Sequence, residues 1–134
     1  MNVTVTRTIK APPEAVYDVW LDPTNPGGPW FGAAKQIIDV HVDGLFYHVA
    51  DHQGRKWTHY GRFTKLERGR MIEYTWMSEA THGIETTVAI ALRAVAGGTE
   101  LALVHRDLPD DDAGRGHEPG WQFIVESVAK RLER

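Results

Sequence analysis

Seven histidines and no cysteine set the chemistry open to this chain of 134 residues. Histidine is the side chain that gains or loses a proton near neutral pH. His48, His59 and His105 are the three that alternate with apolar neighbours. Their sharpest reading is proton transfer on a bound aromatic or carbonyl compound. The plainer reading is a hydrogen-bonding histidine of the core or surface. A metal is not expected. His48 and His52 share a strand face but lie about 13 Å apart, too far to hold one ion. His41 and His48 can meet across Asp43-Gly44, yet two ligands do not complete a site. Asp110-Asp111-Asp112 lacks the spaced oxygen ligands of a calcium loop and reads as a solvated loop. Gly97-Gly98 joins two strands and precedes no helix, so it is no phosphate cradle. Without cysteine there is no disulfide, thiol nucleophile or thiolate-bound metal. No hydroxyl nucleophile, base and carboxylate are spaced as a recognisable unit, although such triads assemble in space.

The elements that must position these histidines are mostly strands. Val3, Val5, Arg7 and Ile9 alternate with Thr4, Thr6, Thr8 and Lys10, which predicts a half-buried strand. Pro13 suits a first helical position, and Val16, Val19 and Trp20 extend a short helix over 13–21 that Asp22-Pro23 ends. Residues 23–34 are rich in proline and glycine and carry Trp30 and Phe31, an aromatic pair expected to plug one end of the domain. Six strands follow, at 37–42, 45–51, 57–66, 71–77, 84–94 and 99–106. Asp43-Gly44, Gln53-Gly54, Glu67-Arg68-Gly69 and Gly97-Gly98 turn between them, with a polar connection over 78–83. Such a series implies an antiparallel meander. Residues 109–116 read as a loop. Glu118-Pro119 then opens a helix whose Trp121, Ile124, Val125, Val128 and Leu132 form one apolar stripe.

Composition bounds the partners. The hydrophobic fraction is 42% and the charged fraction 25%, ordinary for a folded domain and not for a disordered chain. A net charge of −3, with both signs interspersed, lacks the basic stripe of a nucleic-acid binder. The alternating N-terminus is unlike a signal peptide, and no run reaches the ~18 apolar residues of a membrane span. The expectation is a cytoplasmic single domain over 1–134, monomeric or homodimeric, with neither membrane nor nucleic acid as partner.

Several segments, taken in order, resemble a known family. They are Ile9-Lys10-Ala11-Pro12-Pro13-Glu14-Ala15-Val16-Tyr17, Trp30-Phe31, Val42-Asp43-Gly44-Leu45-Phe46, Gly61-Arg62-Phe63-Thr64-Lys65-Leu66, Tyr74-Thr75-Trp76, Gly97-Gly98-Thr99-Glu100-Leu101 and Gly120-Trp121. The set is similar to START-like domains of the SRPBCC superfamily, and within it to the branch homologous to the activator of the heat-shock-protein ATPase. Leu45 stands where the family usually has a second glycine, and is expected to narrow that end of a pocket. The resemblance implies an α+β helix-grip fold: a curved seven-stranded antiparallel sheet wrapped around a long C-terminal helix, with short helices after the first strand. It implies a binding fold of diverse uses rather than one activity.

Strand alternation then places one row of side chains after another against the helix. The expected cavity lining is Trp30, Phe46, His48, His59, Tyr74, Trp76, Val88, Ile90, Leu103, His105, Trp121 and Val125, with Gly61 leaving room beside the helix. Binding or carriage of a small apolar or aromatic molecule, without a cofactor, is the leading expectation. An enzyme of the cyclase, hydratase or hydrolase type in the same cavity is the second, with a histidine or Tyr74 as acid or base. A protein-interaction module is the third; it needs an exposed apolar patch, and the outer faces show no clear surplus of apolar residues.

Overall fold

The computed structural model describes every residue except Pro23, Pro26, Phe31 and Ala34. The packing of Phe31 and the role of Pro23 after the first helix therefore lie outside the described residues.

The chain runs β1 (Val3–Ile9), α1 (Pro13–Leu21), β2 (Lys35–Ile38), β3 (Leu45–His52), β4 (Arg55–Glu67), β5 (Met71–Ser78), a 3-10 turn (Glu79–Thr81), β6 (Thr86–Val95), β7 (Gly98–Arg106), a short α2 (Asp112–Arg115) and the long α3 (His117–Leu132). The seven strands form one antiparallel sheet in the order β1-β7-β6-β5-β4-β3-β2. Consecutive strands pair from β2 to β7, and β1 closes onto β7. Helix α3 lies across the inner face: Trp121, Val125, Val128 and Ala129 are buried, and Ile124 and Leu132 pack against the same core. The α+β helix-grip architecture read from the sequence is the observed one.

Local chemistry explains the boundaries. Pro13 takes the first position of α1, and Val16, Trp20 and Leu21 form its buried face. Gln53 and Gly54 both have positive φ, 53° and 75°, as the tight β3–β4 turn requires. Arg7 of β1 is paired with Glu126 of α3 at 3.0 Å and with Glu133, just past its end, at 3.2 Å, which ties the end of the helix to the edge of the sheet.

Four expectations are corrected. Strand β2 ends at Ile38 rather than Val42. Residues 39–44 are a longer connection, because the Asp43 amide bonds the Phe63 carbonyl at 2.8 Å and draws the loop onto β4. Strand β6 begins at Thr86, since the Ile84 amide closes the preceding turn on the Thr81 carbonyl and Ile84 is exposed. The acidic stretch is not all loop: the Asp111 carboxylate accepts the Gly114 amide at 2.9 Å and caps α2. The outer face of β2–β4 is more apolar than expected, with exposed Ile37 opposite Tyr47, and Tyr47 against half-exposed Tyr60 at 5.3 Å between ring centroids.

Candidate functional site

The interior divides into a filled end and an open end. At the filled end Trp30, Phe46, Phe63 and Tyr74 pack with ring centroids 5.3–6.0 Å apart, mostly tilted or edge-on, the arrangement aromatic quadrupoles favour. All four are at most 2% exposed. Gly61 sits directly opposite Phe46. The room it leaves is taken by the Phe46 ring: a Cβ there would fall 2.2 Å from Phe46 Cζ. Leu45 is 64% exposed on the outside and narrows nothing.

At the open end is a cleft of about 700 Å³. Its floor is the β3–β4 hairpin and the end of β5, where His48, His59, Trp57 and Trp76 line it. Its other wall is the 3-10 turn, α2 and the first turns of α3, which contribute Glu79, His117, Trp121 and Phe123. The volume suits one small organic molecule. Each acidic side chain that lines the cleft near its rim has a cation: Asp51 has Lys56, Glu79 has Arg55, and Asp112 has Arg115. Arg55 also lies flat over the Trp57 ring, 4.0 Å from its centroid.

Of the residues expected to line a cavity, His48, His59, Trp76 and Trp121 are brought together at the cleft. Trp30, Phe46 and Tyr74 belong to the filled end, and Val88, Ile90, Leu103 and Val125 to the packed core. The Tyr74 hydroxyl is fully buried beside the Trp20 indole, and burial pushes its pKa well up, so it is not placed as an acid or base for a molecule in the cleft. Trp57, His117 and Phe123 line the cleft without having been expected there. Trp57 sits beside a turn, and His117 and Phe123 lie off the apolar stripe of α3; the one sequence signal was the run of aromatic and histidine residues flanking Gln53-Gly54 and Gly116.

The register of β3 against β4 sets His48 opposite His59. Their rings stack at 4.4 Å with planes 9° apart, and His59 lies 4.8 Å from Trp76. Burial, then the neighbouring His59, lowers the His48 pKa to about 3. Burial, then His117, lowers that of His59 to about 4. Both rings are therefore neutral at pH 7. His41, which the Asp43-Gly44 connection could have brought to His48, instead meets Asp39 in the exposed β2–β3 connection at 2.5 Å.

His105 has a different role. The Trp121 indole N–H can only donate, and it reaches His105 Nδ1 at 2.9 Å. Nδ1 is thus an acceptor, and the proton of the neutral ring sits on Nε2. Nε2–H then donates to Thr86 Oγ1 at 2.7 Å, and the Thr86 hydroxyl donates to the Trp76 carbonyl at 2.6 Å. Every donor in this relay has an acceptor, so His105 has no ring nitrogen left for a bound molecule. It fastens α3 to β5 and β6. Trp121→Phe, which leaves His105 Nδ1 without its donor, is expected to lower stability by about 1–3 kcal/mol, measured by urea unfolding at pH 7.5.

Comparison with known proteins fits this architecture. The sequence profile of the family described as Activator of Hsp90 ATPase homolog 1-like protein matches residues 10–133. The chain belongs to that family. The START-like, SRPBCC-type fold expected from the motifs is the family's own. A protein of solved structure from Chromobacterium violaceum is 26% identical and superposes with a TM-score of 0.80, covering 100% of this chain and 99% of its own. CalU16 from Micromonospora echinospora is 20% identical with a TM-score of 0.75, covering 98% of this chain and 75% of its own. DynU16, a protein of the dynemicin biosynthetic locus, is 20% identical with a TM-score of 0.78 over 98% of this chain and 47% of its own. The last two likenesses show the fold alone. No curated protein matches the chain. No helix among the described residues is long and apolar enough to cross a membrane.

Proposed function

We propose that this member of the Activator of Hsp90 ATPase homolog 1-like family binds or carries a small, mainly aromatic molecule in the cleft between the β3–β4 hairpin and the start of α3. The observation that carries the reading is the wall itself. His48, His59, Trp57, Trp76, Trp121 and Phe123 set flat rings around one volume, and Phe123 is 71% exposed at its edge. An exposed phenylalanine beside an aromatic-walled cleft is surface that a bound ring would cover. Members of the family often bind small hydrophobic molecules, which supports the same reading.

Carriage is favoured over catalysis because, among the described residues, no carboxylate orients the buried His48 or His59; the cleft histidine that has one, His82 with Asp111 at 2.6 Å, is half exposed. Among the described residues neither His48 Nδ1 nor His59 Nδ1 has a side-chain partner, whereas an activated base normally has a third group behind it. The protein-interaction reading rests on the Ile37–Tyr47–Tyr60 patch alone.

Thermal unfolding across a panel of naphthalene derivatives and fatty acids, followed by native mass spectrometry of the hits, tests the proposal. A naphthalene derivative is expected to raise the midpoint, and Trp76→Ala to weaken its binding about tenfold or more. An unchanged midpoint across the whole panel would count decisively against a small-molecule role.

A further inference from the structure

The charge around the cleft narrows the class of molecule, given the reading above that the cleft is a ligand site. The segments that wall it, residues 48–59, 76–85 and 107–124, carry eight acidic side chains against three basic ones. The whole chain carries eighteen against fifteen, so the rest of the molecule has a small excess of bases. The local surplus is only partly compensated. Arg115 is shared between Asp110 at 3.1 Å and Asp112 at 3.0 Å. The His82 ring at 2.6 Å and the Gly114 amide at 2.9 Å hold the Asp111 carboxyl below the usual carboxylate range, so it is ionised at pH 7. Asp51, Glu79 and Asp112 line the cleft, while their partners Lys56, Arg55 and Arg115 do not.

The buried histidines do not restore the balance. His48 and His59 are neutral at pH 7 through burial. Burial lowers the His117 pKa as well. His117 Nδ1 lies 3.0 Å from the Ala113 carbonyl oxygen and 3.2 Å from that of Gly114, so Nδ1 carries the ring proton and Nε2 can only accept. The aromatic wall has the same preference, because the faces of indole and phenyl rings are negative and attract cations. Arg55, over the Trp57 ring at 4.0 Å from its centroid, is a cation already seated on this wall. Apolar walls focus the field of the surrounding carboxylates into the cleft. A carboxylate entering it would lose hydration and meet no lining lysine or arginine among the described residues.

We propose that the cleft selects a flat aromatic molecule that carries a protonated amine, with the rings of Trp57 and Phe123 and the carboxylates of Asp51, Glu79 and Asp112 set around the positive charge. The rings give affinity for any flat molecule of the right size. The choice among such molecules lies in the charge, since stacking alone does not tell one flat ring from another.

Three probes of one shape test this by equilibrium dialysis at pH 7.5: 2-naphthylmethylamine, 2-ethylnaphthalene and 2-naphthoate. The amine is protonated at this pH and matches the hydrocarbon in heavy-atom shape. It is expected to bind about tenfold more tightly than the hydrocarbon, and the carboxylate more weakly than either. Raising sodium chloride from about 0.05 M to about 0.5 M is expected to narrow the gap between amine and hydrocarbon, because salt screens exposed carboxylates. In Asp110→Asn/Asp112→Asn, which leaves Arg115 without either of its carboxylates, the preference for the amine is expected to fall about threefold or more. Asp111 still caps α2 in that variant, and both altered side chains are exposed, so the fold is not at stake. Equal affinity for amine and hydrocarbon in the unaltered protein would overturn the inference and leave the ligand site standing. A carboxylate that binds most tightly, or a preference unmoved by salt and by the double variant, would overturn it too. Failure of all three probes would overturn the site itself, and the inference with it.

Discussion

Between pH 7.5 and pH 5 the protein is expected to lose about 4 kcal/mol of folding stability through His48 and His105 alone. Each has a pKa of about 3 in the folded chain, set first by burial, against about 6.5 when unfolded. A base whose folded pKa is depressed favours the native state at high pH. Its contribution is complete well above pH 6.5 and is lost as pH falls, because the unfolded chain takes up the proton and the folded one does not. The slope is about 1.4 kcal/mol per pH unit for each group, hence about 2 kcal/mol apiece by pH 5. For His105 the resistance has a second source. A proton on Nδ1 would face the Trp121 indole N–H, donor against donor, and break the bond at 2.9 Å. His59, lowered to about 4, adds to the loss in the same window. The surface carboxylates whose pKa values are lowered by hydrogen bonds and paired cations, among them Asp18, Glu126 and Glu133, act at lower pH. Since domains are commonly stable by only 5–15 kcal/mol, unfolding is expected near pH 5. Urea midpoints measured from pH 7.5 to 4.5 check this, and His48→Phe should flatten the slope by about one proton. A stability unchanged between pH 7 and 5 would sink the account.

The second large effect is at Gly61. Gly61→Ala is expected to destabilise by about 3 kcal/mol or more. The added Cβ would meet the Thr75 carbonyl oxygen at 2.1 Å and the Phe46 ring at 2.2–2.3 Å. The ring is held by Trp30, Phe63 and Tyr74 and has no empty space to swing into. The oxygen is main chain. Around this point β4 leaves its regular pairing with β5, and the Arg62 amide bonds Thr75 Oγ1 at 2.9 Å instead. The strand is therefore already fitted closely to the Thr75 side. Chemical denaturation of Gly61→Ala, Phe46→Leu and the double variant separates the two contacts. A double variant that regains part of the loss assigns that part to the ring, and the remainder to the carbonyl. A Gly61→Ala protein as stable as the parent would show that the strand shifts freely and that the aromatic end is loosely packed.

Much of the sheet was legible because period-two alternation has one physical cause, a face turned inward. Leu101, Leu103 and His105 share a buried face as the alternation predicted, as do Thr86, Val88, Ile90 and Leu92. Helix α1 was legible from Pro13 onward for the same kind of reason. Alternation says which way a side chain points but not what fills the space it points into. That is why Tyr74, Phe46 and Trp30 were expected around a ligand and are packed against one another. Volume in three dimensions decides this, and Gly61 reads the same in sequence whether it makes room for a ligand or for Phe46. The cleft was half legible. His48 and His59 became a pair through the β3–β4 register, which the Gln53-Gly54 turn fixes. Trp57 and Glu79 lie at or between strand ends, and His117 opens α3 off its apolar stripe, where no period marks an inward face. The ring protonation of His105 needed the hydrogen-bond geometry, because only Trp121 reveals which nitrogen is bare.

The relay from Trp121 through His105 and Thr86 also acts as a clock. Five indole protons are present in the chain; among the described residues those of Trp30, Trp57 and Trp76 find no acceptor, whereas that of Trp121 is bonded to His105. Its nuclear resonance is therefore expected to stand apart, shifted downfield. Deuterium from solvent can replace that proton only when the helix lifts from the sheet, since Trp121 is 2% exposed. The time it takes to fade counts, from a single peak, how often the grip lets go.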